Sequence, residues 1–316
     1  MPLKFAFSTV ACPEWTIEQV AEQASKMGYQ GVELATLGAG STSLACDPAL
    51  SEPKKIRRIL ADSGIEPICL STTHCLQHGD SSSVLTASMR ISEDLAAAAE
   101  MGCPAVRVFG LSARPGENRR EVLQRIGQNV APLAEKAGTL GVELLFENSL
   151  SSWTAKEWWW LLDIANHPMV GMSWSAYFGA VVDINDCGGW ISVSVLNSRI
   201  RLAKVADIRF GEGAGFVPLG EGDVGIENFL KRLRGVGFEG YVSVDWPRTG
   251  LRGLTPPEQY LPDALNRLQD YMAGIDQWIE KGQKTAERAA AKNAPKSRAE
   301  LKAESEKKKK KAAKAG

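Results

Sequence analysis

Histidine is scarce in this chain: 316 residues hold only His74, His78 and His167. Chemistry that needs several imidazoles together is therefore out of reach, and any reactive centre must draw on carboxylates, lysine and arginine. Cysteine is present but unorganised. Cys12, Cys46, Cys69, Cys75, Cys103 and Cys187 include no C-x-x-C pair, the pattern of reduced cytosolic thiols. No apolar run approaches the length of a membrane span. The opening "MPLKFAFSTVACPEW" has one lysine and a short apolar stretch broken by Ser and Thr, a poor secretory signal. A membrane role is excluded and a cytoplasmic location expected. Nor does "STVACPEW", after the first strand-like segment, supply the glycine-rich turn of a dinucleotide fold.

What is there begins with charge. The formal net charge of zero hides a division: from Lys281 onward 13 Lys/Arg face 4 Glu, so an acidic body of −9 carries a basic tail of +9. From about Gly282 the sequence "QKTAERAAAKNAPKSRAELKAESEKKKKKAAKAG" has no aromatic residue and one leucine. It cannot bury a core, so residues 281–316 are expected to be a Lys/Ala/Glu-rich disordered tail or a lone frayed helix. Lys307–Lys311 reads as solvated, with weak attraction to nucleic acid or acidic partners as its functional reading.

Residues 1–280 alternate short apolar runs with amphipathic segments. The strand segments are Lys4–Thr9, Gln30–Ala35, Glu66–Ser71, Pro104–Gly110, Val142–Asn148, Val170–Ser175, Ile200–Asp207 and Gly240–Trp246. Helical segments separate them, among them Thr16–Met27, Glu52–Ser63, Val84–Met101, Asn118–Thr139, Thr154–Ala165 and Ile226–Gly235. Thr16 with Gln19 offers a capping box, and glycines follow several helix ends. Only the sixth separator, "DINDCGGWISVSVLNSR", looks short or irregular. Eight strand–helix units imply parallel strands closed into a (β/α)8 barrel, an α/β fold; an open doubly wound sheet is the runner-up. Trp158, Trp159 and Trp160 on the fifth helix cannot all face the core, so at least one is exposed or covers a neighbour. A homo-oligomer contact and packing under an adjacent loop both fit.

Several stretches carry a resemblance: "GYQGVELA" (28–35), "MGCPAVRVFG" (101–110), "APLAEKAGTLGVELLFEN" (131–148), "HPMVGMSW" (167–174), "VPLGEGDV" (217–224) and "FEGYVSVDW" (238–246). In these the chain resembles the sugar phosphate isomerase/epimerase family, the xylose-isomerase-like barrels. The resemblance implies a divalent-metal site at the barrel mouth, held by Glu, Asp, His and Glu on the last four strands. The first falls on Glu147 and the last on Asp245. The Asp position falls on Ser175, a histidine often found three residues later on Phe178, and the strand-seven His on Lys204 of "AKVAD". The expected cofactor is thus none, or a weakly bound manganese or magnesium ion on Glu147 and Asp245.

Isomerisation and epimerisation beside a carbonyl need a polarised oxygen and a carboxylate to move the proton. Glu147 and Asp245, at the carboxyl ends of their strands, suit a catalytic pair, although a satisfied ion pair is the bland alternative. Lys204 has no lone pair to give a metal while protonated, but its ammonium can replace a metal's charge. Its other readings are Schiff-base chemistry and an outward, solvated side chain. Substrate contacts are assigned to His74, Arg107, Glu33, Ser175 and Trp174. Glu33 and Arg107 are expected within salt-bridge reach of each other inside the barrel, as a substrate-orienting or a structural pair. His74 and His78 follow the third strand; "CLQH" hints at zinc, but two further ligands are missing, and a loop histidine touching substrate is the better reading. "SAYF" is read as a loop in which Phe178 walls off the former metal position.

Two functions are compatible with this reading. One is an isomerase or epimerase of a small polyhydroxylated compound, with or without metal. The other is a non-catalytic descendant that binds a sugar-like ligand or a protein. With three histidines the chain cannot form the multi-zinc site of the related apurinic endonucleases, which argues against nucleic-acid cleavage.

Overall fold

In the computed structural model the described residues are 3–36, 52–76, 79–110, 116–148, 152–251 and 253–293. Helix boundaries follow the capping chemistry. In α1 (Ile17–Met27) the Thr16 hydroxyl accepts from the Gln19 amide and the Gln19 side chain accepts from the Thr16 amide, a closed capping box. Gly28, at φ 93°, ends the helix in a left-handed conformation that a side chain resists. The other helices are α2 (Pro53–Asp62), α3 (Ser81–Met101), α4 (Arg119–Leu140), α5 (Ala155–Ala165), α6 (Ala176–Val182), α7 (Ser192–Leu196), α8 (Ile226–Gly235) and α9 (Pro257–Asn293).

The strands are β1 (Lys4–Ser8), β2 (Gly31–Ala35), β3 (Glu66–Cys75), β4 (Ala105–Phe109), β5 (Glu143–Glu147), β6 (Val170–Ser175), β7 (Ile200–Val205), β8 (Asp207–Arg209), β9 (Gly215–Val217) and β10 (Tyr241–Val244). Eight of them close a barrel in the order β1-β10-β7-β6-β5-β4-β3-β2, every pair parallel. This is the expected (β/α)8 architecture. No described helix is long and apolar enough to cross a membrane.

Strand alternation and register sort the interior into layers. The lower layer is apolar: Ala6, Cys69, Ala105, Leu145 and Leu202 cluster, with Tyr241 packed against them. One step toward the carboxyl ends the inward positions turn polar. Ser8 pairs in register with Glu33, Ser71 with Arg107, Glu147 with Ser173, and Lys204 with both Ser175 and Ser243. All of these are buried.

Three segments differ from expectation. The Ile200–Asp207 segment is not one strand: β7 ends at Val205, and Asp207 starts β8, antiparallel to β9. The Asp207 carboxylate accepts from the amides of Gly220, Gly222 and Val224, which draws the chain out of the barrel at this point. "SAYF" is not a loop, because α6 starts directly after Ser175. β3 runs on to Cys75, so His74 lies on the strand rather than after it; His78 is outside the described residues. The segment from Lys281 continues α9 as far as Asn293, and residues 294–316 are outside the described residues. The sixth separator is irregular as expected, with 3-10 turns at Ile184–Gly189 and Asn197–Arg199 around the short α7. On α5, Trp158 is core, packed on Phe146, whereas Trp159 and Trp160 carry the guanidinium groups of Arg199 and Arg120.

Candidate active site

At the carboxyl end of the barrel three carboxylates converge on one ammonium. Lys204 Nζ lies 3.1 Å from Glu33 Oε1, 3.1 Å from Glu147 Oε2 and 3.3 Å from Asp245 Oδ2. The contact to Glu147 on β5 is a hydrogen bond, and those to Glu33 on β2 and to Asp245, just after β10, are ion pairs. Arg107 joins from β4: its Nε is 2.9 Å from Glu147 Oε2, and its Nη1 donates to the Thr72 carbonyl at 2.5 Å. The Arg107 Nε contact is close in distance but off the hydrogen-bond axis, so it acts mainly through charge. Its guanidinium also lies over the Phe109 ring at 4.1 Å.

Glu33 and Arg107 are both inside the barrel, as strand parity requires, but they do not pair with each other. Glu33 is held by Lys204 and by two hydroxyls, Ser71 Oγ at 2.5 Å and Ser243 Oγ at 2.8 Å. Arg107 takes Glu147 instead. The expected pair is therefore corrected: one ammonium and one guanidinium are shared among three acids.

Burial sets the electrostatics. Taken alone it would draw the Lys204 proton off, but the charges of Asp245, Glu147 and Glu33 outweigh it, and Arg107 opposes them only weakly. The ammonium is held protonated well above the ordinary lysine range. Burial pushes Asp245 up to about 6; Lys204 pulls it down, and Glu147 and Glu33 add to the rise. Asp245 is also the most open of the four groups, with 9% of its side chain exposed against 0% to 3% for the others.

The remaining assigned residues divide. Ser175 is at the cluster, since it is the register partner of Lys204 on β6. Its backbone is clamped by Asn148, which accepts from the Ser175 amide at 2.7 Å and donates to its carbonyl at 3.0 Å. The Ser175 hydroxyl, like those of Ser8 and Ser173, is buried with no partner among the described residues. Trp174 alternates to the opposite face of β6 and lies against Gly179, away from the cluster. His74 is tied to α3, its Nε2 3.1 Å from Asp94 Oδ2. Phe178 is half-buried, and it is Tyr177 whose phenol feels the cluster. Burial raises its pKa first, and the charges of Asp245 and Glu147 raise it further. Tyr177, Phe216, Trp246 and Tyr260 follow one another in ring contacts beside Asp245. Sequence reading missed Ser71, Ser243, Asn148 and Tyr177. The serines were within reach of strand parity, being two residues from Cys69 and Asp245; Tyr177 was not, because its position depends on α6.

The xylose isomerase-like TIM barrel model matches residues 21–271. The chain belongs to this family. No curated protein matches its sequence. Among solved structures of the same fold, an L-ribulose 3-epimerase aligns at 14% identity and TM-score 0.73, over 93% of this chain and 100% of that one. The IolI protein, solved with a zinc atom, aligns at 15% identity and TM-score 0.71, over 86% and 99% of the two chains. A probable 3-DHS dehydratase, AsbF from Bacillus anthracis, aligns at 15% and TM-score 0.68, over 84% and 99%. At these identities the likeness is one of fold, and the family barrel here carries its own set of charges at the mouth.

Proposed function

We propose that this chain is an isomerase or epimerase of a small polyhydroxylated substrate in which Lys204, rather than a divalent ion, provides the fixed positive charge. The observation that carries this reading is the convergence of Glu33, Glu147 and Asp245 on Lys204 Nζ. Manganese and magnesium need several oxygen or imidazole donors with lone pairs free to point at the ion. Here the carboxylate lone pairs point at an ammonium, which has none to give, and β6 offers only the Ser175 hydroxyl. The residues present do not fit a divalent centre.

What they do fit is proton transfer beside a carbonyl. With an apparent pKa of about 6, Asp245 is largely ionised at neutral pH and basic enough to accept a proton from the carbon next to the carbonyl. The electron pair left on that carbon forms an enediolate, and the Lys204 ammonium stabilises its oxygen. Return of the proton by Asp245 to the neighbouring carbon, as a proton moves between the two enediolate oxygens, gives the isomer; protonation of the original carbon on its opposite face by water, with Asp245 passing its own proton back to water, gives the epimer. Glu147, flanked by Arg107 and Lys204, holds the ammonium in place from the far side.

A second reading, a non-catalytic descendant that binds a sugar-like ligand, is favoured by one observation. None of the five charged side chains is more than 9% exposed. The two readings part in one experiment. Chelator-treated protein is incubated with free and phosphorylated ketoses and cyclitols in D2O, and deuterium uptake at carbon is followed by proton NMR. Uptake that survives the chelator and disappears in Asp245→Asn supports catalysis. Ligand-induced thermal stabilisation with no uptake by any compound supports the binding reading.

A further inference from the structure

On the outer face of β6 lies a groove of about 250 Å³ that the proposed reaction does not use. Its walls include two indoles, Trp153 and Trp174, and two carboxylates, Asp183 and Asp186, with the exposed Lys156 at the N-terminal turn of α5. The carboxylates are half-employed. Asp186 Oδ1 accepts from the amides of Ile191 and Ser192, both at 2.8 Å, and Asp183 Oδ1 accepts from Asn185. Neither acid has a lysine or arginine in salt-bridge range among the described residues. Burial raises the Asp186 pKa, its backbone donors counter this, and the neighbouring charge of Asp183 adds to the rise.

A second observation points into the same space. The Trp174 side chain is 1% exposed, and its indole N–H has no acceptor among the described residues. A Cβ on Gly179 would sit 2.9 Å from Asp186 Oδ2 and 3.2 Å from Trp174 Nε1. Glycine at this position lets the Asp186 carboxylate and the edge of the Trp174 indole close against the backbone, with no room for a methyl group, and so brings an acid and an unpartnered indole N–H to the same end of the groove.

We propose that this groove binds a small amine that also carries a hydroxyl or ether oxygen, an amino alcohol in its simplest form. The ammonium answers the two acids and the indole faces, where a cation gains from the ring quadrupole. The oxygen accepts from Trp174 Nε1. A divalent metal is the poorer occupant, because two carboxylates are too few oxygen ligands and indole gives it none. The site shares no residue with the Lys204 cluster, so it stands or falls separately from the proposed reaction.

The probe is ethanolamine, with ethylene glycol and magnesium chloride as controls. The readout is the Trp174 indole N–H signal of the nitrogen-15-labelled full chain, assigned by its loss in Trp174→Phe. Ethanolamine is expected to shift that signal saturably, with an affinity in the range of roughly 1–10 mM given its few atoms; ethylene glycol is expected to leave it unmoved. Asp186→Asn keeps the Oδ1 acceptor for Ile191 and Ser192 while removing the charge, and should weaken ethanolamine by about 10-fold or more. Gly179→Ala, which fills the space and leaves every charge in place, should abolish the shift. Lys156→Ala should leave it intact. An equal shift with ethylene glycol or magnesium, unchanged affinity in folded Asp186→Asn, or no saturable shift in the parent protein would overturn the proposal.

Discussion

Ser175 and Lys204 are register partners on β6 and β7, and both side chains turn into the barrel. One is a hydroxyl with no partner among the described residues; the other is an ammonium with three. The resemblance placed a metal-binding Asp and His at these two positions. On the proposed reading the two changes are complementary, an acid lost on one strand and a cation gained beside it on the next, and random loss of a site would not be expected to leave Glu147 and Asp245 in contact with that charge.

Removal of the ammonium is the first test of that balance. Lys204→Met leaves three buried carboxylates with only Arg107 nearby, and breaking a buried ion network from one side costs about 3–5 kcal/mol. The variant is expected to lose stability on this scale in urea denaturation. Adding Glu33→Gln, which removes one of the stranded charges, should restore part of it. A Lys204→Met protein as stable as the parent would mean that the network contributes nothing to the fold.

Asp245 gives the pH dependence a definite sign. Its folded pKa of about 6 lies above the ordinary aspartate value of 3.8, so the folded state holds this proton more tightly than the unfolded chain. The resulting contribution to stability is fully present below about pH 4 and is lost as pH rises through 6, at most roughly 3 kcal/mol. Asp245→Asn should flatten the stability profile across that window. Lys204, raised from 10.5, acts at the other end: its contribution is complete below that value and is lost only in stronger alkali. Where the protein is active, the rate should rise through about pH 6 as Asp245 ionises, and the same substitution should remove the limb along with the activity.

Asp207 is predicted to be structural. Its carboxylate accepts from the amides of Gly220 and Gly222 at 2.8 and 3.1 Å and from Val224 at 3.2 Å. Asp207→Ala strands these donors, at about 1–3 kcal/mol for each one left buried. Amide hydrogen exchange should speed up at Gly220, Gly222 and Val224, while the amides of β1 to β6 keep their protection.

Much of the architecture was legible because the pattern repeats. Eight apolar strands separated by helical segments, several of them with a cap or a terminal glycine, leave few folds to choose from. Parity also placed Glu33 and Arg107 inside the barrel, whereas Glu147 and Lys204 were found through the resemblance, at the carboxyl ends of their strands. Partner choice was not legible. Glu33 and Arg107 looked like a pair along the sequence, but Lys204 reaches Glu33 across the barrel and Glu147 draws Arg107 away. Length and rotamer decide that, and periodicity carries neither. Trp174 shows the same limit from the other side: it is the last residue but one of a strand that points at the mouth, yet its own parity turns it outward. His74 went astray because β3 is longer than its apolar run, and Tyr177 was missed because a helix replaces the expected loop.

In the proposed function Lys204 stands where a divalent ion would otherwise be held, and manganese affinity measures that directly. Titration of the parent protein and of the double variant Ser175→Asp/Lys204→His, followed by calorimetry and manganese electron paramagnetic resonance, gives the comparison. The parent is predicted to bind manganese weakly or not at all. The double variant, which restores an acid and an imidazole beside Glu147 and Asp245, is predicted to bind at least about 10-fold more tightly. Tight, stoichiometric manganese binding by the parent, with no gain in the double variant, would contradict the central claim.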